Sequence, residues 1–173
     1  YAGTAKLGQY EKDKTMTANI TDLIHSVGHS APLMELTYSN GQKGLLQAPE
    51  GVRVGETLTI GNDAEIKSGN VLPLKHMPEG TSIFNIESKP GDGGKFVRTS
   101  GTFARIITKA DKEIVVELPS GKRRNFLPEC RAVVGVVCAS GRTEKPFLKA
   151  GKKFFAMTAR NKVWPHVCGT SMN

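Results

Sequence analysis

The 173-residue chain has little that commits it to catalysis. Its three cysteines, Cys130, Cys138 and Cys168, are odd in number and form no Cys-x-x-Cys pair. Neither a zinc ribbon nor a thioredoxin-like site is therefore supported. Cys130 and Cys138 read better as small apolar residues in a reducing compartment. No apolar run approaches the ~20 residues that span a bilayer, no amphipathic basic helix suggests a membrane surface, and no secretory signal is visible. The P-loop pattern is incomplete, because Phe96 follows Lys95 where a Ser or Thr hydroxyl would meet Mg²⁺. The dinucleotide pattern Gly-x-Gly-x-x-Gly also fails, and no helical period follows the glycines. His25 and His29 lie four apart, but in a strand and its turn that spacing makes no metal pair. His166 and Cys168 are two apart and point to opposite sides of an extended chain, a poor arrangement for a thiol and its base. The residues thus imply no cofactor, no metal, no small-molecule substrate, no membrane partner and no enzyme.

What the chain has is basic charge, unevenly placed. Its net charge is +8. Residues 1–71 carry 6 Lys/Arg against 8 Asp/Glu, a net of −2, and residues 72–173 carry 18 against 8, a net of +10. Such asymmetry points to a polyanion facing the second part, with nucleic acid the usual candidate. Within that part, Lys89 to Gly101 is a loop of glycines and cations, with Gly93 and Gly94 between Lys89, Lys95 and Arg98. Glycine allows close backbone approach, and successive amides in such a loop can form an anion-binding concavity. Arg can add a bidentate phosphate contact. The alternative is a long hairpin loop with solvated charges.

Glycine is plentiful, at 19 residues, as expected for many short strands separated by turns. Residues 1–14 read as a tail or irregular lead-in. Met16 to Val27 suits a strand. Leu33 to Tyr38 alternates with period two, and Asn40-Gly41 joins it to the apolar run Lys43–Ala48, the strongest short signal of a hairpin. Thr57 to Ile60 is a further strand. After Val71–Leu74, Thr81 to Glu87 alternates, with Ile83 and Ile86 as core candidates. Thr102–Lys109, Ile114–Leu118 and Lys122–Leu127 read as a three-stranded meander, with Ala104 and Ile106 on one face and Phe103, Arg105 and Ile107 on the other. Alternation puts Lys122 and Arg124 on one face and Arg123 on the other. Charges there also fit a guarded sheet edge. Pro128–Arg131 suits a single 3₁₀ turn, and Ala132–Cys138 a buried strand. From Ala139 no period is sustained, although Lys149–Met157 suits one or two helical turns. This tail interleaves Lys145, Lys149, Lys152, Lys153, Arg160 and Lys162 with Phe147, Phe154, Phe155 and Trp164, as expected of a segment ordered by its partner.

Several stretches, in this order and spacing, resemble the ribosomal protein L-two family of the large subunit. They are Gly69-Asn70-Val71-Leu72-Pro73, the loop Asn85–Gly101, Leu118-Pro119-Ser120-Gly121, Cys130-Arg131-Ala132 with Gly135, Lys149-Ala150-Gly151, and Gly169-Thr170-Ser171-Met172-Asn173. Ala48–Val52, Gly141–Pro146 and Lys162–Pro165 are similar to the archaeal and eukaryotic branch. Pro32 and Cys168 depart from family positions that often hold Arg. The resemblance implies a mainly β fold: an OB-like barrel in 1–70, then an SH3-like barrel in 71–173 that carries an irregular basic C-terminal segment. It also implies a core lacking the family's two terminal extensions. The implied function is structural. The protein would bind large-subunit rRNA, meet other ribosomal proteins, support subunit assembly and association and the peptidyl-transferase region, and be cytoplasmic and ribosome-bound. An RNA-binding translation factor with the same two barrels, not permanently part of the ribosome, is the alternative. The candidate rRNA contacts are Lys89, Gly93, Gly94, Lys95, Arg98, Arg105, Lys122, Arg123, Arg124, Arg131, Lys149, Lys152, Lys153, Arg160, Lys162, Trp164 and His166.

Overall fold

The computed structural model describes residues 2–8 and 15–172. Much of the expected lead-in, residues 9–14, lies outside them, as do the two end residues. The described chain is mainly β. Its strands are β1 (Met16–Ile24), β2 (Leu33–Tyr38), β3 (Lys43–Gln47), β4 (Thr57–Ile60), β5 (Val71–Pro73), β6 (Ser82–Phe84), β7 (Ala104–Lys109), β8 (Ile114–Glu117), β9 (Arg123–Phe126) and β10 (Arg131–Val134). All ten belong to one sheet, in the order β3-β2-β1-β4-β5-β10-β6-β7-β8-β9.

Local pairings follow the turn chemistry. Gly41 has φ +80°, and Tyr38 N–H donates to the Gln42 carbonyl at 2.9 Å, closing the β2–β3 hairpin. The Ile114–Phe126 and Glu117–Arg123 pairs close the last hairpin of the meander, whose turn is held by Gly121 N–H on the Leu118 carbonyl at 2.8 Å. Pro128 to Cys130 is a hydrogen-bonded turn, with Cys130 N–H on the Leu127 carbonyl, rather than a 3₁₀ turn. The 3₁₀ turn instead follows β5, at Leu74–His76.

The middle of the sheet is non-local. β5 runs parallel to β4 through Ile60 and Val71, and antiparallel to β10 through Arg131–Pro73, Ala132–Leu72 and Val133–Val71. β10 then pairs β6 through Val133–Phe84 and Val134–Ile83. Adjacent residues on these strands face opposite ways, so the two sides of β5 and β10 fill different cores. One core gathers Ile20, Met34, Leu36, Leu46 and Leu58 with Val71, Phe84 and Val133. The other gathers Leu72, Leu74, Met77, Ile83, Ile86, Ala104, Ile106, Val116 and Phe126 with Ala132 and Val134. Two apolar interiors on one curved set of short strands are consistent with OB-type and SH3-type barrels. Each fully buried Leu, Ile or Phe adds roughly 1.5–3 kcal/mol relative to exposure.

The chain divides into two compact units, residues 1–142 and residues 143–173. The second holds one α-helix, α1 (Ala150–Thr158), and a short 3₁₀ turn at Gly169–Ser171. None of its described residues is buried. No described helix is long and apolar enough to cross a membrane.

Candidate nucleic-acid interface

The glycine loop is organised from inside. Asp92 turns back, and its carboxylate accepts from the amides of Ser88 at 3.0 Å, Lys89 at 3.3 Å and Gly94 at 3.1 Å. The Gly93 amide donates to Glu87 Oε1 at 3.2 Å, and the Gly93 carbonyl accepts from the Leu7 amide at 2.9 Å. Gly93 and Gly94 are themselves buried. The expectation that these amides cradle a phosphate is therefore corrected: the chain's own carboxylates occupy the concavity. Burial acts to raise the Asp92 pKa, but the amides of Gly94, Lys89 and Ser88 and the Lys95 ammonium together hold it below the ordinary carboxylate value. Gly94 is required for close packing, since a Cβ there would lie 2.3 Å from Asn85 Oδ1 and 2.8 Å from the Asn85 carbonyl oxygen.

Arg131 is a second correction. The sequence puts it among the phosphate contacts, but its side chain is 4% exposed and paired with a Glu87 side chain that is 0% exposed. Its Nη2 lies 2.6 Å from Glu87 Oε1, its Nε 3.2 Å from both carboxylate oxygens, and its Nη1 donates to the Gly8 carbonyl at 3.1 Å. Glu87 also accepts from the Arg131 amide at 2.9 Å. The pair ties the glycine loop, β10 and the lead-in together. The sequence signal for it is the only acid in the apolar run Ile83–Glu87. A carboxylate there needs a buried donor set.

Arg98 is half-buried and engaged by the fold. Its Nη2 donates to the Ala5 carbonyl at 2.5 Å, and with the Gln47 amide oxygen turned towards it, Nε and Nη2 donate there at 3.1 and 3.0 Å. It clamps the lead-in to β3.

The remaining cations form the outer surface. Lys89, Lys95, Arg105, Lys122, Arg123 and Arg124 are exposed. Lys95 pairs with Asp92 at 3.4 Å while staying 64% exposed, so the pair is worth little and the charge stays available. Arg124 does diverge from Arg123: Arg124 lies opposite core-facing Val116, and Arg123 opposite Glu117 on the outer face. The Arg124 guanidinium covers the Phe96 ring at 4.5 Å from its centroid, a cation–π contact that fixes the charge in place.

In the C-terminal unit, Lys149, Lys152, Arg160, Lys162 and His166 are exposed. Lys153 and Trp164 are half-buried against each other, with Nζ 5.1 Å from the ring centroid. Residues 143–173 hold six Lys/Arg against one Glu, a net of +5. Phe147, Leu148, Phe155 and Val163 are more than half exposed. Such a surface offers phosphates a charge and bases a stacking partner.

No group of three or more His, Cys, Asp or Glu that could hold a metal occurs among the described residues. The three thiols are free. Burial pushes Cys130 up to about 11 and also raises Cys138, which is partly exposed at the edge of the first core. Cys168 is exposed and lowered by the Thr170 hydroxyl, 3.1 Å away, and the Thr170 amide.

The sequence model of the family described as Ribosomal Proteins L2, C-terminal domain, matches residues 67–173. The large ribosomal subunit protein uL2 of Haloquadratum walsbyi is 51% identical over 165 residues, spanning 95% of this chain and 68% of that protein. Its counterparts in Methanocaldococcus jannaschii and Methanocella arvoryzae are 48% and 47% identical, over 97% and 93% of this chain and 69% and 68% of their own lengths. These similarities give the translation-factor alternative no support. With the family model covering more than half the chain and archaeal relatives matched along nearly all of it, the chain belongs to the ribosomal protein L2 (uL2) family.

Proposed function

We propose that the chain is a structural constituent of the large ribosomal subunit that binds large-subunit rRNA. It acts by charge and shape, with no catalytic step of its own. The observation that carries the reading is the C-terminal unit. Residues 143–173 place a net +5 on a surface with no buried residue among those described, beside exposed aromatic rings. A folded chain alone gains nothing from that arrangement; a polyanion with unpaired bases does. Lys and Arg neutralise phosphates and release counterions, while the compact unit of residues 1–142 presents Lys89, Lys95, Arg105, Lys122, Arg123 and Arg124 on its surface. The near-neutral first part, 1–70, is read as the OB-like barrel, and 71–173 as the SH3-like barrel with the basic C-terminal segment.

Family membership supports a cytoplasmic, ribosome-bound location and contacts with other ribosomal proteins. Support of subunit association and of the peptidyl-transferase region belongs to the same reading. Co-sedimentation of the whole chain with the large subunit through a high-salt cushion tests it. Stable association supports a subunit constituent. Release into the supernatant with other salt-labile factors would contradict it.

A further inference from the structure

On the outer face of the β7–β8–β9 meander lies a groove in which the proposed rRNA role uses Arg105 but leaves Phe103 and Glu117 without an assignment. It is lined by Phe103 and Arg105, by Glu117, and by Leu118, Pro119 and Gly121 of the last hairpin. The strand register places Arg105 opposite Glu117, and Glu117 opposite Arg123. An acid therefore sits between two arginines in one cross-strand row, with neighbouring Cβ atoms about 5 Å apart. Phe103 is 38% exposed, and the Arg105 guanidinium carbon lies 5.7 Å from its ring centre. Of the described residues, none engages the half-buried Glu117 carboxylate in a hydrogen bond or ion pair.

We propose that this groove binds an unpaired guanine of an RNA. The inference rests on the rRNA reading above and adds the base that this site takes. A flat aromatic ring beside a guanidinium is a stacking surface for a splayed-out base. A carboxylate at its edge then selects among bases by donor pattern. Guanine alone presents two adjacent donors, N1–H and N2–H, on its Watson–Crick edge, and these match the two acceptor oxygens of Glu117. Cytosine and adenine present one amino donor next to an acceptor, and uracil one imino donor between two acceptors. Arg105 and Arg123 offset the repulsion between Glu117 and the phosphates that flank the base.

The test probes large-subunit rRNA bound by the whole chain in two ways. Kethoxal, which closes a ring on N1 and N2 of unpaired guanine, reads the base edge; hydroxyl radicals read the sugar–phosphate backbone. The wild type should protect a guanine that is reactive in free rRNA. Glu117→Gln and Phe103→Ala should each restore its reactivity and weaken occupancy of that guanine by about tenfold, the discrimination expected of one bidentate pair. The backbone footprint elsewhere should persist. A protected guanine that stays protected in Glu117→Gln, or Glu117→Gln binding rRNA more tightly as removal of a simple repulsive charge would, overturns the proposal. So does a groove whose variants lose only a neighbouring protein. Absence of any backbone footprint overturns the rRNA reading itself, which keeps the two failures distinct.

Discussion

Replacing Arg131 by Met removes the guanidinium while keeping most of the side-chain volume between the lead-in and β10. Glu87 would keep two amide donors, from Arg131 at 2.9 Å and Gly93 at 3.2 Å, but lose its counter-charge in a site where its side chain is 0% exposed. The Gly8 carbonyl would lose its donor as well. Removing one partner of a buried pair costs about 3–5 kcal/mol, because the other charge is stranded. For a chain of this size each kcal/mol lowers Tm by roughly 2–4 °C, so a fall of about 6–20 °C is expected. Glu87→Gln/Arg131→Met should recover a large part of the loss, giving a coupling of about 2 kcal/mol or more between the sites. Urea unfolding followed by far-UV circular dichroism is the suitable assay. The single tryptophan, Trp164, lies in the C-terminal unit and would not report on this pair. An Arg131→Met protein within about 1 kcal/mol of wild type would refute the clamp. So would unchanged stability together with a fall in the salt slope of rRNA binding by one contact, roughly 0.7–0.9.

The same geometry fixes three further outcomes. Arg98→Ala should destabilise the fold by about 1–3 kcal/mol, because Gln47 and the Ala5 carbonyl lose their donor, with the salt slope of RNA binding unchanged; equal stability with weaker binding would contradict this. Gly94→Ala should cost at least about 1–3 kcal/mol, since its φ is +90° and the new Cβ would collide with Asn85, whereas Gly91→Ala, with open space around it, should cost less in the same urea titration. Asp92 has a folded pKa below its ordinary 3.8, so its contribution is present above that value and lost as pH falls through the lower folded value. Wild type should accordingly lose stability faster than Asp92→Asn on acidification below about pH 4, and parallel acid profiles would remove the role given to its amide contacts.

Features encoded within a few residues were legible in the sequence. Asn40-Gly41 announced its hairpin, and period-two alternation put Ala104 and Ile106 on one face of their strand and Arg105 on the other. It also separated Arg124 from Arg123. Its glycines and cations marked the Lys89–Gly101 loop as special, but not the direction of its amides. Asp92 and Glu87 turn its amides inward because a buried amide must find an acceptor, and nothing in the spacing of glycines says whether that acceptor is a phosphate or the chain's own carboxylate. The Glu87–Arg131 pair spans 44 residues, and the β5–β10–β6 pairings that bring it together join residues still further apart in the chain. Charge carries no period, so an arginine inside a barrel and one on its rim look alike in the sequence. The tail was legible for the opposite reason: with no period and no core, only composition remained to be read.

In the proposed function, exposed cations of the C-terminal unit neutralise rRNA phosphates. The most direct measurement is the slope of log K against log[salt] for the whole chain on large-subunit rRNA, compared with a variant in which Lys149, Lys152, Arg160 and Lys162 are changed to Gln. These side chains are exposed and none is buried against the core, so the fold should be unaffected. At roughly 0.7–0.9 per phosphate contact, the slope should fall in magnitude by about 3. An unchanged slope in a variant with wild-type circular dichroism would contradict the account.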